Sequence, residues 1–278
     1  MKQEDDRAEP ARRQPAAEAR WHYRAIREYV YKQTPQGELR IYVHFPFDWE
    51  PRDRRPAILF FFGGAFLRGT VEHFTRQATY LASRAMVAAR ADYRVKLRHG
   101  VTVDKCVQDA KSAMRWLRGN AEMLGIDSEH IVAAGGSSGG HLAASTSVIE
   151  GLDEEGEQLS VSPKPNALLL FNPALQLPLD DRVPTEELAE QLSPVLHLTR
   201  DLPPTLMLFG TQDRFLPPAQ AFIAKAKGLG CRVELYVAEG ARHGFFNRAP
   251  WFKRTLYRAD EFLASLGYVD GKPTFEAR

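Results

Sequence analysis

Short apolar runs recur along most of the chain and alternate with segments of helical spacing. Six of the runs are apolar on both faces, which is typical of strands covered by helices on each side. They occupy residues 57–62, 86–93, 130–134, 167–171, 205–209 and 233–237. Helical spacing occupies residues 103–124, 218–229 and 252–266. Strands that alternate with helices predict an α/β fold with a mostly parallel, doubly wound sheet, whose functional residues lie at the carboxyl ends of the strands.

The strands predicted nearest the N-terminus differ in pattern from these buried runs. Residues 28–33 and 38–45 are rich in aromatic and β-branched side chains and flank a turn signal at residues 34–37, Thr-Pro-Gln-Gly. Two such runs around a turn predict an antiparallel hairpin. We expect this hairpin to form the antiparallel edge of the sheet.

The chain divides into a tail and one domain. Residues 1–17 mix charges with Ala, Pro and Gln and have no apolar period, so we expect a mobile tail. Residues 18–278 are expected to form a single α/β domain, because no repeat or low-complexity linker interrupts them. Polar, proline-containing segments near 151–165 and 176–199 are expected to be cap insertions over the sheet.

Composition excludes several classes of function. The chain has 37 Lys and Arg against 35 Asp and Glu, so its net charge of +2 gives no basic field for nucleic acid. Cys106 and Cys231 lack metal-type spacing and are expected to be free. Because no apolar run reaches about 18 residues, we expect no membrane span. The protein is expected to be soluble, and cytoplasmic unless a signal peptide has been removed. Its oligomeric state is left open.

A glycine-serine run at residues 135–140, Gly-Gly-Ser-Ser-Gly-Gly, follows one of the apolar runs. A strand-turn-helix elbow of pattern Gly-x-Ser-x-Gly presents a nucleophilic serine, because its strained backbone leaves no room for bulky neighbours. The pattern fits twice, with Ser137 or Ser138 at its centre. The strand enters at Gly135 and helical residues begin just beyond Gly140, which favours Ser137. By itself, such a run is also compatible with a plain loop or a phosphate-binding turn.

A glycine pair at residues 63–64 ends the first buried run and supports the elbow. The oxyanion of an acyl-transfer intermediate is bound by the N–H after the nucleophile and by N–H groups from the loop after an early strand. We therefore predict an oxyanion hole formed by Gly64, Ala65 and Ser138. A simple tight turn is the alternative for the glycine pair.

An acid and a base follow in the order that this chemistry requires. Asp213 lies just beyond the run 205–209, and His243 follows the last short strand. The predicted mechanism has His243 accept the proton of Ser137 as it attacks an ester carbonyl, while Asp213 stabilises the imidazolium. Glu239 is the close rival to Asp213. We expect no metal and no organic cofactor, because no clustered ligand pattern occurs.

The remaining histidines and nearby apolar residues are assigned other roles. Surface or structural positions are expected for His22, His44, His73, His99, His130, His141 and His197. Phe66, Leu216 and Phe245 are expected near the triad, where they would restrict the acyl group to a short chain. Plain core packing is the equal alternative for these three.

With these residues identified, the chain resembles the acetyl-esterase and lipase-like α/β-hydrolases, near the hormone-sensitive-lipase type and the bacterial feruloyl and acetyl esterases. The resemblance runs from about residue 29 to residue 268. It is carried, in order, by residues 61–66, 90–94, 135–143, 193–194, 210–213 and 243–245. It implies Ser137 as nucleophile, Asp213 as acid and His243 as base. Relatives commonly have a histidine where this chain has Phe62, and an acidic residue where it has Gly136.

The resemblance implies hydrolysis of small acyl esters, often acetyl or feruloyl groups on polysaccharides. The expected partner is therefore a small-molecule or carbohydrate ester. Two other classes remain open at this point. One is a catalytically weak or inactive small-molecule binding protein on the same fold, and the other is a lyase that uses the same triad.

Overall fold

The computed structural model describes residues 21–277, so the expected tail at 1–17 lies outside the described residues. Within these described residues, eight strands form one sheet in the order β1-β2-β4-β3-β5-β6-β7-β8. Their bounds are β1 Tyr23–Thr34, β2 Gly37–Pro46, β3 Arg55–Phe61, β4 Val87–Ala91, β5 Ile126–Gly136, β6 Ala167–Phe171, β7 Thr205–Gly210 and β8 Val233–Ala238. β1 and β2 pair antiparallel, as do β2 and β4, whereas β3 to β8 pair in parallel. The predicted α/β class and the antiparallel N-terminal hairpin are confirmed.

In the described range 21–277, eight helices are present and both faces of the sheet are covered. Their bounds are α1 Thr75–Ser83, α2 Lys96–His99, α3 Val103–Gly119, α4 Ala121–Leu124, α5 Ser138–Val148, α6 Glu186–Gln191, α7 Leu216–Gly228 and α8 Trp251–Ser265. Short 3-10 helices occupy Val71–Phe74, Pro194–Leu196 and Phe245–Asn247. The helical spacing predicted over 103–124 is broken at Asn120, whose backbone angles (φ −103°, ψ 17°) are not helical.

Alternation along the buried strands builds two hydrophobic layers. In β3, Leu59 and Phe61 face the layer that contains α3, α5 and α7, whereas Ile58 and Phe60 face the layer that contains α1 and α8. Successive strand side chains point to opposite faces, so a strand that is apolar at every position is buried on both. The two layers fix the carboxyl ends of β3, β5, β7 and β8 along one edge.

The two polar segments take different positions. Ion pairs hold 151–165 in place: Asp153 lies 2.9 Å from Lys111 of α3, and Glu154 lies 2.8 Å from Arg94, three residues beyond β4. The pairs fix this segment beside α3, and its role as a cap insertion stays a prediction. The segment 176–199 contains α6 and begins beside the carboxyl end of β6.

Candidate active site

A strained residue separates β5 from α5. Ser137 has φ 55° and ψ −117°, a backbone conformation that side-chain-bearing residues rarely adopt and that is costly to maintain. The strand and helix approach closely at Gly135 and Gly139, since a Cβ on Gly135 would lie 2.3 Å from the Gly139 carbonyl oxygen. These are the two glycines of the pattern centred on Ser137, so the close approach agrees with Ser137 at the tip of the turn.

Three polar side chains form a continuous hydrogen-bonded chain at this turn. Ser137 Oγ lies 2.8 Å from His243 Nε2, and His243 Nδ1 lies 2.8 Å from Asp213 Oδ2. A carboxylate only accepts hydrogen bonds, so Nδ1 carries the proton and Nε2 is free to accept the serine proton. Asp213 is buried and also accepts the N–H of Phe215 at 3.0 Å. The geometry is that of a nucleophile, a base and an orienting acid.

The alternative residues lie elsewhere. Ser138 is buried at the start of α5, although it contributes to the cavity wall. Glu239 pairs with the hydroxyl of Thr211 at 3.4 Å, on the exposed side of the β8 turn. His141 is fully buried and its Nδ1 lies 2.7 Å from the Ala174 carbonyl; burial lowers the pKa of this imidazole to about 4. None of these groups approaches the Oγ of Ser137 within hydrogen-bond distance among the described residues.

The loop after β3 turns its backbone towards Ser137. Gly64, Ala65 and Phe66 have positive φ angles of 147°, 57° and 59°, so three successive residues share this unusual conformation. The N–H groups of Gly64 and Ala65 donate to no protein atom within residues 21–277. The N–H of Ser138, at the first position of α5, has no acceptor within the helix. Free N–H groups around a nucleophile are the donors that an oxyanion needs.

His73 braces this loop, a role that the sequence did not indicate. The N–H of Gly63 donates to His73 Nδ1 at 2.9 Å, and the side-chain amide nitrogen of Asn247 lies 2.8 Å from His73 Nε2. Burial lowers the pKa of His73, which favours the neutral ring that can accept from Gly63. His73 lies on a short 3-10 helix outside any motif, so no sequence signal distinguished it from a surface histidine.

Phe62 occupies the position where relatives commonly have the bracing histidine. Its ring stacks on that of Tyr93 with centroids 4.0 Å apart, and the Tyr93 hydroxyl donates to the Phe62 carbonyl at 2.8 Å. Both rings are buried. An apolar stack therefore fixes the start of the loop from one side, and His73 fixes the following residue from the other.

Asn172 is a second polar residue that the sequence did not single out. It follows β6, is fully buried and has φ 40°, a conformation that asparagine tolerates better than most residues. Its Oδ1 accepts the N–H of Gly244 at 3.2 Å, and its Nδ2 lies 3.5 Å from His243 Nε2. Asn172 therefore holds the loop that carries His243.

A cavity of about 640 Å³ opens over Ser137. Phe66 lines it, whereas Leu216 and Phe245 do not and take the core packing that the sequence left as the equal alternative. Leu216, at the start of α7, and Phe245 turn into the two hydrophobic layers. Their chain neighbours Phe215 and Phe246 line the cavity instead. Neighbouring residues point to opposite sides of the backbone, and the conformation of the turn determines which of the two side chains faces the cavity.

Between residues 21 and 277, no group of three or more His, Cys, Asp or Glu is arranged to hold a metal ion. No helix in the same range has the length and apolarity needed to cross a membrane. Cys106 and Cys231 are both free and buried.

The parallel sheet, the serine at a strained strand-to-helix turn and the adjacent histidine define an α/β-hydrolase. A family model described as BD-FAE matches residues 46–168. The structure of Thermogutta terrifontis esterase 2 phosphorylated by paraoxon is 43% identical, with a TM-score of 0.85 over 89% of this chain and 96% of that one. A propionate-bound structure of the esterase from the same organism is 42% identical, with a TM-score of 0.84 over 89% of this chain and 96% of that one.

Curated relatives agree with the structural ones. Esterase LipC of Mycobacterium tuberculosis is 26% identical over 85% of this chain, which spans 64% of the length of LipC. The chain belongs to the α/β-hydrolase esterases. The expected class, a carboxylesterase that is a serine ester hydrolase, is confirmed at that level.

Proposed function

We propose that the protein hydrolyses short-chain carboxylic esters, chiefly acetyl esters, through a triad of Ser137, His243 and Asp213. The observation that carries the proposal is the chain of two 2.8 Å contacts from Ser137 Oγ through the imidazole to Asp213. Contacts of this length allow a proton to move from the serine to Nε2 as the oxygen attacks.

The proposed reaction has two halves. Ser137 Oγ attacks the ester carbonyl, its proton passes to His243 Nε2, and the N–H groups of Gly64, Ala65 and Ser138 bind the oxyanion. Collapse of the tetrahedral intermediate breaks the bond to the alcohol, which leaves with the proton from Nε2. Water then attacks the acyl-serine, gives a proton to Nε2, and releases the carboxylic acid as Ser137 regains its hydrogen. No other reactant is consumed.

The preference for short acyl groups is supported by the cavity and by a relative. Phe66, on the oxyanion loop, and Phe246 restrict the space beside Ser137. The T. terrifontis esterase has been solved with propionate bound. We extend the proposal to acetylated carbohydrates, because the sequence resembles esterases that act on such substrates. The cavity wall formed by residues 176–178 suits a role of segment 176–199 as a small cap.

A substrate series tests the proposal. We expect kcat/KM for p-nitrophenyl acetate to exceed that for the octanoate, because the rings of Phe66 and Phe246 line the cavity beside Ser137. Ser137→Ala is expected to lower kcat by about 10⁴- to 10⁶-fold. Ser138→Ala is the matched control, because it keeps the backbone N–H and should retain most activity. Measurement of acetate release from acetylated sugars and polysaccharides would identify the alcohol.

Paraoxon labels the nucleophile directly. Since paraoxon phosphorylates the T. terrifontis esterase, we expect it to inactivate this protein and to leave a diethylphosphoryl group on Ser137, located by peptide mass spectrometry. A label on Ser138, or full activity in Ser137→Ala, would contradict the site assignment. Absence of turnover with every short ester would contradict the proposed function and favour a binding protein.

A further inference from the structure

The charged side chains around the cavity are of one sign. Three arginines line it: Arg68, Arg182 and Arg214. Within residues 21–277, no aspartate or glutamate lines it, and the histidines there are His73 and His243. The residues that line the cavity therefore contribute guanidinium groups and no carboxylate.

One of the three arginines is already neutralised. Arg182 forms a two-pronged ion pair with Asp180 and donates to the Ala65 carbonyl at 2.6 Å. It therefore supports the oxyanion loop and is not available to a ligand. Arg68 and Arg214 are exposed and pair with no carboxylate among the residues that the structure describes.

The two available arginines lie on opposite sides of the nucleophile. Arg68 ends the loop after β3, where its N–H donates to the Gly64 carbonyl at 3.2 Å. Arg214 follows Asp213 after β7, with its guanidinium 4.8 Å from the ring centre of Phe215. Ser137 lies after β5, between β3 and β7 in the sheet. A substrate seated over Ser137 therefore has a free cation on each flank.

Arg214 is connected to the His243 side of the site through Phe215. The ring of Phe215, which Arg214 covers, contacts the His243 ring edge to face at 5.2 Å between centroids. The alcohol leaves with the proton from His243, so it occupies the space beside this ring. Arginine favours carboxylate partners because its planar donors match both oxygens, and a concave wall of one sign raises the local concentration of anions.

We infer that the site selects esters whose alcohol moiety carries an anionic group such as a carboxylate. This inference rests on the proposed function and adds the substrate class. Arg214 binds the anion directly, and Arg68 adds a second positive charge across the cavity. Because both guanidiniums are exposed, each is expected to contribute only about two- to fivefold in kcat/KM.

A pair of esters that differ only in charge tests the inference. The probes are 4-acetoxybenzoate and 4-acetoxybenzamide, which share the acetyl group and the ring. Each kcat/KM is divided by the rate constant for alkaline hydrolysis, which removes the difference between the leaving groups. We expect the corrected ratio to favour the benzoate by about five- to twentyfold at low salt and to fall towards one in about 0.5 M NaCl, where charges are screened within about 4 Å.

Arginine variants assign the preference to the cavity. Arg214→Gln should lower the corrected ratio about two- to fivefold, Arg68→Gln by a similar factor or less, and the double variant should bring it near one. Arg200→Gln is the control, because Arg200 is exposed just before β7, at the opposite edge of the sheet, and should leave both rates unchanged.

The two hypotheses fail in different ways. Absence of turnover with both probes would overturn the proposed function. Turnover of both with a corrected ratio of one, or a benzoate preference that persists in the double variant, would overturn the anionic-substrate inference and leave the esterase proposal intact.

Discussion

Replacement of His73 removes the acceptor that holds the N–H of Gly63. The next two N–H groups of this loop, those of Gly64 and Ala65, are the proposed oxyanion donors, so a shift at Gly63 moves both. We expect His73→Ala to lower kcat and to leave KM within about threefold, because the oxyanion develops only in the transition state. A change in kcat alone distinguishes the brace from a contact with bound substrate.

The size of the effect follows from the hydrogen bond that is lost. A buried donor left without a partner costs about 1 to 3 kcal/mol. At about 1.4 kcal/mol per tenfold in rate, this range corresponds to a fall in kcat of about 5- to 150-fold. The upper end approaches the loss caused by removal of one oxyanion donor, about 10²- to 10³-fold. We therefore expect His73→Ala to lower kcat by less than the complete removal of an oxyanion donor would.

The N–H of Gly63 sets the tautomer of His73, and Asn247 contacts the other ring nitrogen. A backbone N–H only donates, so His73 Nδ1 accepts from Gly63 and the neutral ring carries its proton on Nε2. The amide of Asn247, 2.8 Å from Nε2, accepts that proton when its oxygen is turned towards the ring. Asn247→Ala should lower kcat less than His73→Ala does, and the double variant should resemble His73→Ala, because both residues act through one hydrogen bond.

The assay combines kinetics with stability. kcat and KM are measured with p-nitrophenyl acetate, and Tm is measured on the same samples. His73→Gln, whose amide oxygen can accept from Gly63, should recover part of the lost kcat. His130→Gln is the control, because His130 pairs with Asp127 at the distal end of β5. An unchanged kcat in His73→Ala, or a loss of kcat fully explained by unfolding at the assay temperature, would refute the role of the brace.

Three other substitutions probe the framework of the site. Gly136→Ala should destabilise the protein by about 1 to 3 kcal/mol in urea unfolding, because its Cβ would lie 2.6 Å from the packed ring of Phe246. Gly119→Ala is the control, because no atom lies within 4 Å of the added Cβ. Equal losses of stability in the two variants would contradict the clash at residue 136. Asn172→Ala should lower kcat about three- to tenfold, because it removes the acceptor for a backbone N–H of the histidine loop; an unchanged kcat would exclude that role. Burial lowers the pKa of His141 to about 4, so the unfolded chain binds a proton first as the pH falls below about 6.5. The free energy of unfolding should therefore decline between about pH 6.5 and pH 4, by up to about 1.4 kcal/mol per pH unit. His141→Gln should flatten this slope in urea unfolding, and an identical slope would refute the assignment.

The sheet could be predicted because burial on both faces leaves a clear pattern. β6 begins and ends where the apolar run 167–171 does, and β7 extends its run by one residue. Helix α1 was not predicted, since its nine residues contain too few turns to show the helical period. The break at Asn120 also escaped prediction, because the apolar spacing continues through it.

Whether a residue near Ser137 could be predicted depends on whether it follows a sequence motif. Ser137, Asp213 and His243 each follow a strand end with a characteristic neighbour, and the structure brings them together. For Leu216 and Phe245 the sequence left a place near the triad and plain core packing equally open, and the backbone turns after β7 and β8 present the adjacent phenylalanines to the cavity. Spacing along the chain cannot resolve a rotation of one residue within a turn.

The brace at His73 changes how the two loops of the site depend on each other. Asn247 lies four residues after His243, so the contact from Gly63 through His73 to Asn247 joins the oxyanion loop to the histidine loop. Asn172 holds the same histidine loop at Gly244. A bracing histidine at residue 62 would act within the oxyanion loop alone. With Phe62 in its place and His73 as the brace, movement of the histidine loop also displaces the oxyanion donors, so substitutions in one loop are expected to alter the function of the other.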